Sequence, residues 1–163
     1  MKKLLMLLVI PGLTFAEINK NLEYESYLGF GIVSPDNTNY EKGNLSLNFG
    51  FGARKNYKNY FLGTNLDFEY SDLISKNPAK DNNMFNITYE FKTGINYKKL
   101  KIYPLFGIRY TFLGNNTDSL NIGYGAGFEY KFNNINYFSI ETTKYKYKNF
   151  DINNATLKFG ILY

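Results

Sequence analysis

Phe85-Asn86-Ile87-Thr88-Tyr89-Glu90-Phe91-Lys92-Thr93-Gly94-Ile95-Asn96-Tyr97 is the stretch on which the fold turns. Phe85, Ile87, Tyr89, Phe91, Ile95 and Tyr97 share one parity, with Thr93 the weak member, while Asn86, Thr88, Glu90, Lys92, Gly94 and Asn96 share the other. Successive side chains of a β-strand point to opposite faces, so such a strand has one apolar wall and one wet wall. The pattern recurs eight times over windows of roughly ten residues, as a membrane-spanning β-barrel requires.

The windows fall at about 22–33, 43–54, 60–70, 84–97, 101–112, 120–132, 136–147 and 154–163. Their connections alternate in length. Residues 34–42, 71–83, 113–119 and 148–153 form long stretches rich in Asn, Asp, Ser, Lys and Pro, whereas 55–59, 98–99 and 133–135 are short. Short turns at one end and longer loops at the other are the asymmetry of outer-membrane barrels, turns toward the periplasm and loops outside. The expected fold is all-β, an eight-stranded antiparallel up-and-down transmembrane β-barrel with both ends of the barrel chain in the periplasm.

The lipid-facing set then continues from strand to strand: Leu28, Phe30 and Ile32; Leu45, Leu47, Phe49 and Phe51; Leu62, Leu66 and Phe68; Phe106, Ile108 and Tyr110; Ile122, Tyr124 and Phe128; Leu157, Phe159 and Ile161. None is charged, and a lysine or arginine at mid-membrane would cost roughly 2 to 4 kcal/mol. Tyr24, Tyr60, Tyr97, Tyr130 and Tyr163 fall near periplasmic strand ends, where an aromatic girdle places hydroxyls among headgroups. Two places fit poorly. Tyr145 and Tyr147 have the parity opposite to Phe138, Ile140 and Thr142, which implies a bulge near Thr143 or an early strand end. Pro104 faces outward and lacks a ladder donor, which implies a place near the start of its strand or at a bulge.

At the N-terminus Lys2 and Lys3 precede the apolar run Leu4 to Ile10 and a Thr14-Phe15-Ala16 end. This is the pattern of a secretory signal peptide over 1–16, cut before Glu17, with the barrel domain over 17–163. The run is too short to span a bilayer as a helix, which needs about 20 apolar residues. Mean hydropathy is negative, as it is when half of every strand is polar. Removing two of the 19 basic residues with the signal leaves 17 against 14 acidic ones, spread without a cluster, so nucleic acid is not an expected partner. The chain has no cysteine, which excludes disulfides, thiolate metal sites, thiol nucleophiles and lipoprotein anchoring. It has no histidine, the commonest general base and metal ligand. No cofactor or metal is expected.

The polar parity describes the interior. Gly29, Gly31, Gly50, Gly52, Gly63, Gly94, Gly107, Gly123, Gly125, Gly127 and Gly160 lie on it, interleaved with Glu23, Glu25, Arg54, Asp67, Glu69, Glu90, Lys92, Arg109, Glu129, Lys131, Glu141 and Lys158. An eight-stranded barrel is just wide enough for side chains to fill, so glycine leaves room for long charged neighbours. Strand direction puts Glu23 and Glu25 level with Arg54, Glu129 and Lys131 near the periplasm, and Asp67 and Glu69 with Arg109 toward the outside. Unpaired buried charge costs several kcal/mol, so these groups are expected to form networks that block the lumen.

Other motifs have plainer readings. Gly123-Tyr124-Gly125-Ala126-Gly127 looks like a phosphate-binding loop, but strand alternation runs straight through it and no helix follows. Glu90 with Lys92, and Glu129 with Lys131, are same-face neighbours two apart, the spacing of structural lumen pairs rather than of an acid and base at work. The sequons at Asn86, Asn115 and Asn154 are expected by chance in an asparagine-rich chain. Loop carboxylates Asp36, Glu41, Asp72, Asp81, Asp118 and Asp151 show no spacing suited to a calcium cage.

Three segments carry a resemblance: Tyr103-Pro104-Leu105-Phe106-Gly107-Ile108-Arg109-Tyr110, then Gly123-Tyr124-Gly125-Ala126-Gly127-Phe128-Glu129-Tyr130-Lys131-Phe132, and the terminal Leu157-Lys158-Phe159-Gly160-Ile161-Leu162-Tyr163. With them the chain resembles the OmpA-like and opacity-type family of small outer-membrane β-barrels. The resemblance implies that Leu157, Phe159, Ile161 and Tyr163 form a C-terminal signal read by the outer-membrane assembly machinery. No peptidoglycan-binding domain follows, so cell-wall tethering is not expected. Small barrels that deacylate or palmitoylate lipid A, and larger surface proteases, depend on histidine as those families are known. The expected protein is therefore a non-enzymatic monomer of the bacterial outer membrane. Its partners are outer-membrane lipids and, through four loops, a host or cell-surface ligand. A small channel is the first alternative. A soluble lipocalin-like carrier is the second, and it would place the polar face outside and the aromatics within.

Overall fold

The computed structural model describes residues 22–74, 83–114, 118–148 and 150–163. The signal segment, Asp81 and the Asn115 sequon lie outside the described residues. Eight strands follow one another: β1 Leu22–Pro35, β2 Asn44–Asn56, β3 Tyr60–Asp72, β4 Asn83–Tyr97, β5 Leu100–Leu113, β6 Ser119–Lys131, β7 Asn136–Tyr147 and β8 Phe150–Leu162. Each pairs antiparallel with the next, and β1 pairs with β8 to close the barrel. At that seam Tyr24 N–H donates to the Tyr163 carbonyl at 2.9 Å and Tyr163 N–H donates back at 3.0 Å. The first seven strands agree with the sequence windows to within two residues.

Burial alternates as the parity demands, with the polar set inside and the aliphatic and aromatic set exposed on the outer wall. This is the inverse of a soluble carrier. Phe49, Phe68, Phe85, Phe112 and Tyr110 make a continuous aromatic run across β2 to β5, with ring centroids 4.9, 6.5, 5.9 and 4.7 Å apart in that order. Tyr60, Tyr97 and Tyr163 stand exposed at the periplasmic rim, where Tyr24 stacks on Tyr163 and Tyr130 packs on Phe132 and Phe138.

β7 departs from expectation. Its register runs unbroken against β8 from Asn136 opposite Ile161 to Tyr147 opposite Phe150, and against β6 from Tyr137 to Tyr145. There is no bulge at Thr143 and no early end. Tyr145 and Tyr147 point into the barrel, while Lys144 and Lys146 point out. β8 likewise starts at Phe150 rather than 154, with Ile152 inside and Asp151 and Asn153 outside. The physical reason is shared. At the outer end, inward Val33, Leu73, Met84, Leu113, Tyr147 and Ile152 form an apolar cluster, with Tyr40 and Phe150 packed against it. There the lumen turns from charged to apolar, and on β7 and β8 the outward positions turn polar at Lys144, Lys146, Asp151 and Asn153, so these two strands alternate apolar-in, polar-out as in a soluble protein.

Pro104 is the fifth residue of β5 and pairs with Ala126 on β6. On the β4 side the ladder skips Thr93 and Gly94 and resumes in the same register, so the proline interrupts pairing without a bulge.

Gly29 and Gly63 lie against the side chains of Lys158 and Arg54, as expected of glycines beside charged neighbours, whereas four others serve tyrosines. Tyr27 stands opposite Gly50, Tyr103 opposite Gly127, Tyr137 opposite Gly160 and Tyr145 opposite Gly123. Each ring lies over its partner, and a Cβ at any of these glycines would fall under 3.0 Å from ring atoms. Gly–Tyr cross-strand pairing thus fits four large rings into a barrel this narrow.

Candidate functional site

Two regions hold the polar chemistry: the lumen and the outer end. The lumen groups fall into three tiers because strand direction and stagger bring particular inward positions together.

In the periplasmic tier Arg54 of β2 is the hub. Its Nε donates to Glu23 at 3.0 Å and one Nη donates to Glu129 at 2.6 Å, with Glu25 at 3.3 Å. Lys131 reaches Glu23 at 3.1 Å, and Lys101 lies 3.8 Å from Glu129 while donating to Asn56 at 3.0 Å. The guanidinium sits 5.1 Å from the Tyr137 ring centre.

In the middle tier Glu141 of β7 accepts from Lys92 of β4 and Lys158 of β8, each at 2.6 Å, and from the Tyr103 hydroxyl at 2.7 Å. Lys158 also lies 3.1 Å from Asp67, which accepts from Tyr27 at 2.7 Å. Glu90 stands 3.5 Å from Lys92 and 3.8 Å from Lys158. In the outer tier Glu69 accepts from Asn48, Asn86 and Asn154, with Arg109 at 3.5 Å. Arg109 lies 3.8 Å from the Tyr145 ring centre and donates to Thr88 at 3.0 Å.

All twelve sequence-predicted lumen residues thus lie in ion pairs. One pairing differs from the expectation: Asp67 meets Lys158 rather than Arg109. Sequence reasoning missed Lys101, although its inward parity on β5 was a usable signal. It missed Tyr27, Tyr103, Tyr137 and Tyr145 as lumen groups, whose signal is a register with glycine that one strand alone does not carry. Between the two lower tiers lies a cavity of about 10 Å³, lined by Glu25, Arg54, Phe61, Lys92, Tyr103 and Glu141 among others. This is room for about one water.

At the outer end Asn44 ties two loops together. Its side-chain nitrogen donates to the Glu41 carbonyl at 2.8 Å and its oxygen accepts from Ile74 N–H at 2.8 Å. Tyr40 leans on Phe150 with ring centres 6.0 Å apart. Burial raises its hydroxyl above the usual tyrosine range, and neighbouring Tyr147 adds to the shift. Asp72 accepts from Tyr70, Asp118 from Tyr110, and Asp151 pairs with Lys144 at 2.7 Å. Among the described residues no three metal-ligating side chains converge. The lumen carboxylates all lie beside cations or amides in the networks above.

The sequence profile of the outer membrane protein beta-barrel domain matches residues 4–163. The chain belongs to this family. It resides accordingly in the bacterial outer membrane. No curated protein sequence matches the chain. Solved structures of other family-like barrels share its fold. Ail, the attachment invasion locus protein of Yersinia pestis, has a TM-score of 0.61 at 12% identity, covering 89% of this chain and 100% of that one. Ail has also been solved in complex with the heparin analogue sucrose octasulfate. Neisserial surface protein A has a TM-score of 0.56 at 12% identity, with 88% and 96% covered. The outer membrane enzyme PagL has a TM-score of 0.51 at 13% identity, with 83% and 98% covered. At such identities the likeness is one of fold, and the fold carries both enzymes and non-enzymes.

Proposed function

We propose that this outer-membrane barrel is a non-enzymatic surface protein with a plugged lumen, which acts through the loops at its outer end in adhesion or another surface interaction. The observation that carries the reading is the stack inside the barrel: three tiers of paired charges beneath an apolar cluster. A diffusing solute would have to break buried ion pairs and then cross an apolar lid, and breaking one such pair costs about 3 to 5 kcal/mol. The absence of histidine and cysteine from the chain supports the non-enzymatic part. Binding of a sulfated sugar by Ail makes sulfated polysaccharide a reasonable first probe for the adhesive part.

Two measurements test this reading. Planar-bilayer recording of the pure protein is expected to give no stable open level, and steady large conductance would favour the small-channel alternative. Cells displaying the protein are expected to adhere to heparin-coated or host-cell surfaces, and replacing residues 36–42 by a short turn is expected to reduce that adhesion. Equal adhesion by cells without the protein would sink the adhesive role. We further propose that Leu157, Phe159, Ile161 and Tyr163 serve as the assembly signal. Tyr163→Ala, which keeps the backbone hydrogen bonds of the seam, should then lower the folded fraction in cells by more than it lowers the refolded fraction in detergent.

A further inference from the structure

On β7 and β8 the outer wall of the barrel breaks its apolar belt with charge. The outward residues of β7 run Phe138, Ile140, Thr142, Lys144 and Lys146, and those beside them on β8 run Phe159, Leu157, Ala155, Asn153 and Asp151. Across the strands Ala126, Thr142, Ala155 and Ile32 make one row, with Tyr124, Lys144, Asn153 and Ser34 the next row outward. The small side chains of the first row leave a groove of about 640 Å³ in the lipid-facing surface.

A second observation concerns the same place. Pairing of β6 with β7 ends at Gly123 opposite Tyr145, so Ser119 to Ile122 pair only with β5 and the two strands part toward the outside. Leu120 and Ile122, 67% and 76% exposed, form one lip of this seam. Lys144 and Lys146 form the other. Lys144 is held by Asp151 at 2.7 Å, whereas Lys146 has no ion-pair partner among the described residues, and Lys148 follows in the adjoining turn.

Lys144 lies three residues below the end of β7, about 10 Å along the strand. It stands one row outward of the groove floor, where the apolar belt gives way to polar residues and a long methylene stem along the wall carries the ammonium toward headgroups. Lysine suits phosphate as a point charge. We propose that this seam seats the phosphorylated headgroup of an outer-leaflet glycolipid. The phosphate lies between Lys144 and Lys146, and an acyl chain lies in the groove floored by Ala126, Thr142 and Ala155. A second copy of the chain is a poorer occupant, because a two-fold contact would set these lysines against their own counterparts with only Asp151 and nearby Asp36 to offset them.

The test is made on the full-length barrel refolded in neutral detergent, read by the temperature at which the folded gel band is lost. Diphosphorylated lipid A at tenfold excess over its Kd should raise that midpoint by about 4 °C. The shift should fall at least threefold in Lys144→Gln/Lys146→Gln. It should persist in Lys55→Gln, which changes an outward lysine at the periplasmic end, and in Lys146→Gln/Asp151→Asn it should recover relative to Lys146→Gln alone. Three results overturn the proposal: an equal shift in the double lysine variant, an equal shift with dephosphorylated lipid A, or the same shift from inorganic phosphate alone. A fourth is disulfide-linked dimer formed in membranes by Ile122→Cys, the only cysteine then present, which would assign the seam to a second copy.

Discussion

The wall made by β4 and β5 and the wall made by β7 and β8 share one barrel and one register rule, yet present different surfaces. On β4 and β5 the outward positions from Tyr97 back to Phe85 and from Leu100 to Phe112 are uncharged, and their outer ends carry packed rings, tilted or edge to face. On β7 and β8 the apolar stretch stops at Ile140 and Leu157, and small or charged residues take over. The fold tolerates both because exposure to hydrocarbon varies with depth: a charge that costs roughly 2 to 4 kcal/mol at the midplane costs about 0 to 1 near the interface. A barrel of one architecture can therefore hold its position in the membrane with one side and vary the other.

The largest expected effect lies where the two walls are joined. Glu141 of β7 receives Lys92 of β4 and Tyr103 of β5 across the lumen. Glu141→Ala takes the nearest carboxylate from two buried ammonium groups, leaves them Asp67 and the more distant Glu90, and should lower unfolding free energy by about 3 kcal/mol. Urea titration of the refolded protein measures this, and a loss under 1 kcal/mol would mean that the walls stand without the tie. Next comes Phe91→Arg on the β4 wall, expected to cost about 2 to 4 kcal/mol and to depress the folded fraction in membranes. Normal membrane levels would contradict the placing of that wall in lipid. Gly123→Val should drive Cβ into the Tyr145 ring and cost about 1 to 3 kcal/mol, and pairing it with Tyr145→Ala should recover part of the loss. The smallest effect belongs to the β7 wall. Lys146→Leu should alter stability by about 0.5 kcal/mol or less, and a change as large as that of Phe91→Arg would erase the contrast between the walls.

The strands were legible because lipid outside and a polar interior stamp a period of two on each of them. The same rule misled at the outer end. Tyr145 and Tyr147 looked out of phase only under the assumption that apolar always means outward, which fails where the lumen itself is apolar, and Ile152 falls in a loop of the sequence reading for want of the same rule. The lumen charges were legible one by one, but the partner of Asp67 was not, since Lys158 reaches it across a lumen whose stagger no single strand encodes. The Gly–Tyr pairs were hidden for the same reason, being a property of register. Lys101 had no such excuse, as it shares parity with Gly107 and Arg109 on its own strand. The charged lip at Lys144 and Lys146 was masked by Tyr145 and Tyr147, which alternate with it.

The mutual hydrogen bonds of Tyr24 and Tyr163 have a bearing on how the molecule comes into being. The first strand to leave the ribosome has the last as one of its two neighbours. Until β8 arrives, every partly made sheet carries two open edges, which invite pairing with other chains. Contacts so distant along the chain form slowly, because the loop between them must close first. Closure of this barrel therefore waits for β8 rather than keeping pace with the strands before it, and a chain cut short of β8 keeps both edges open.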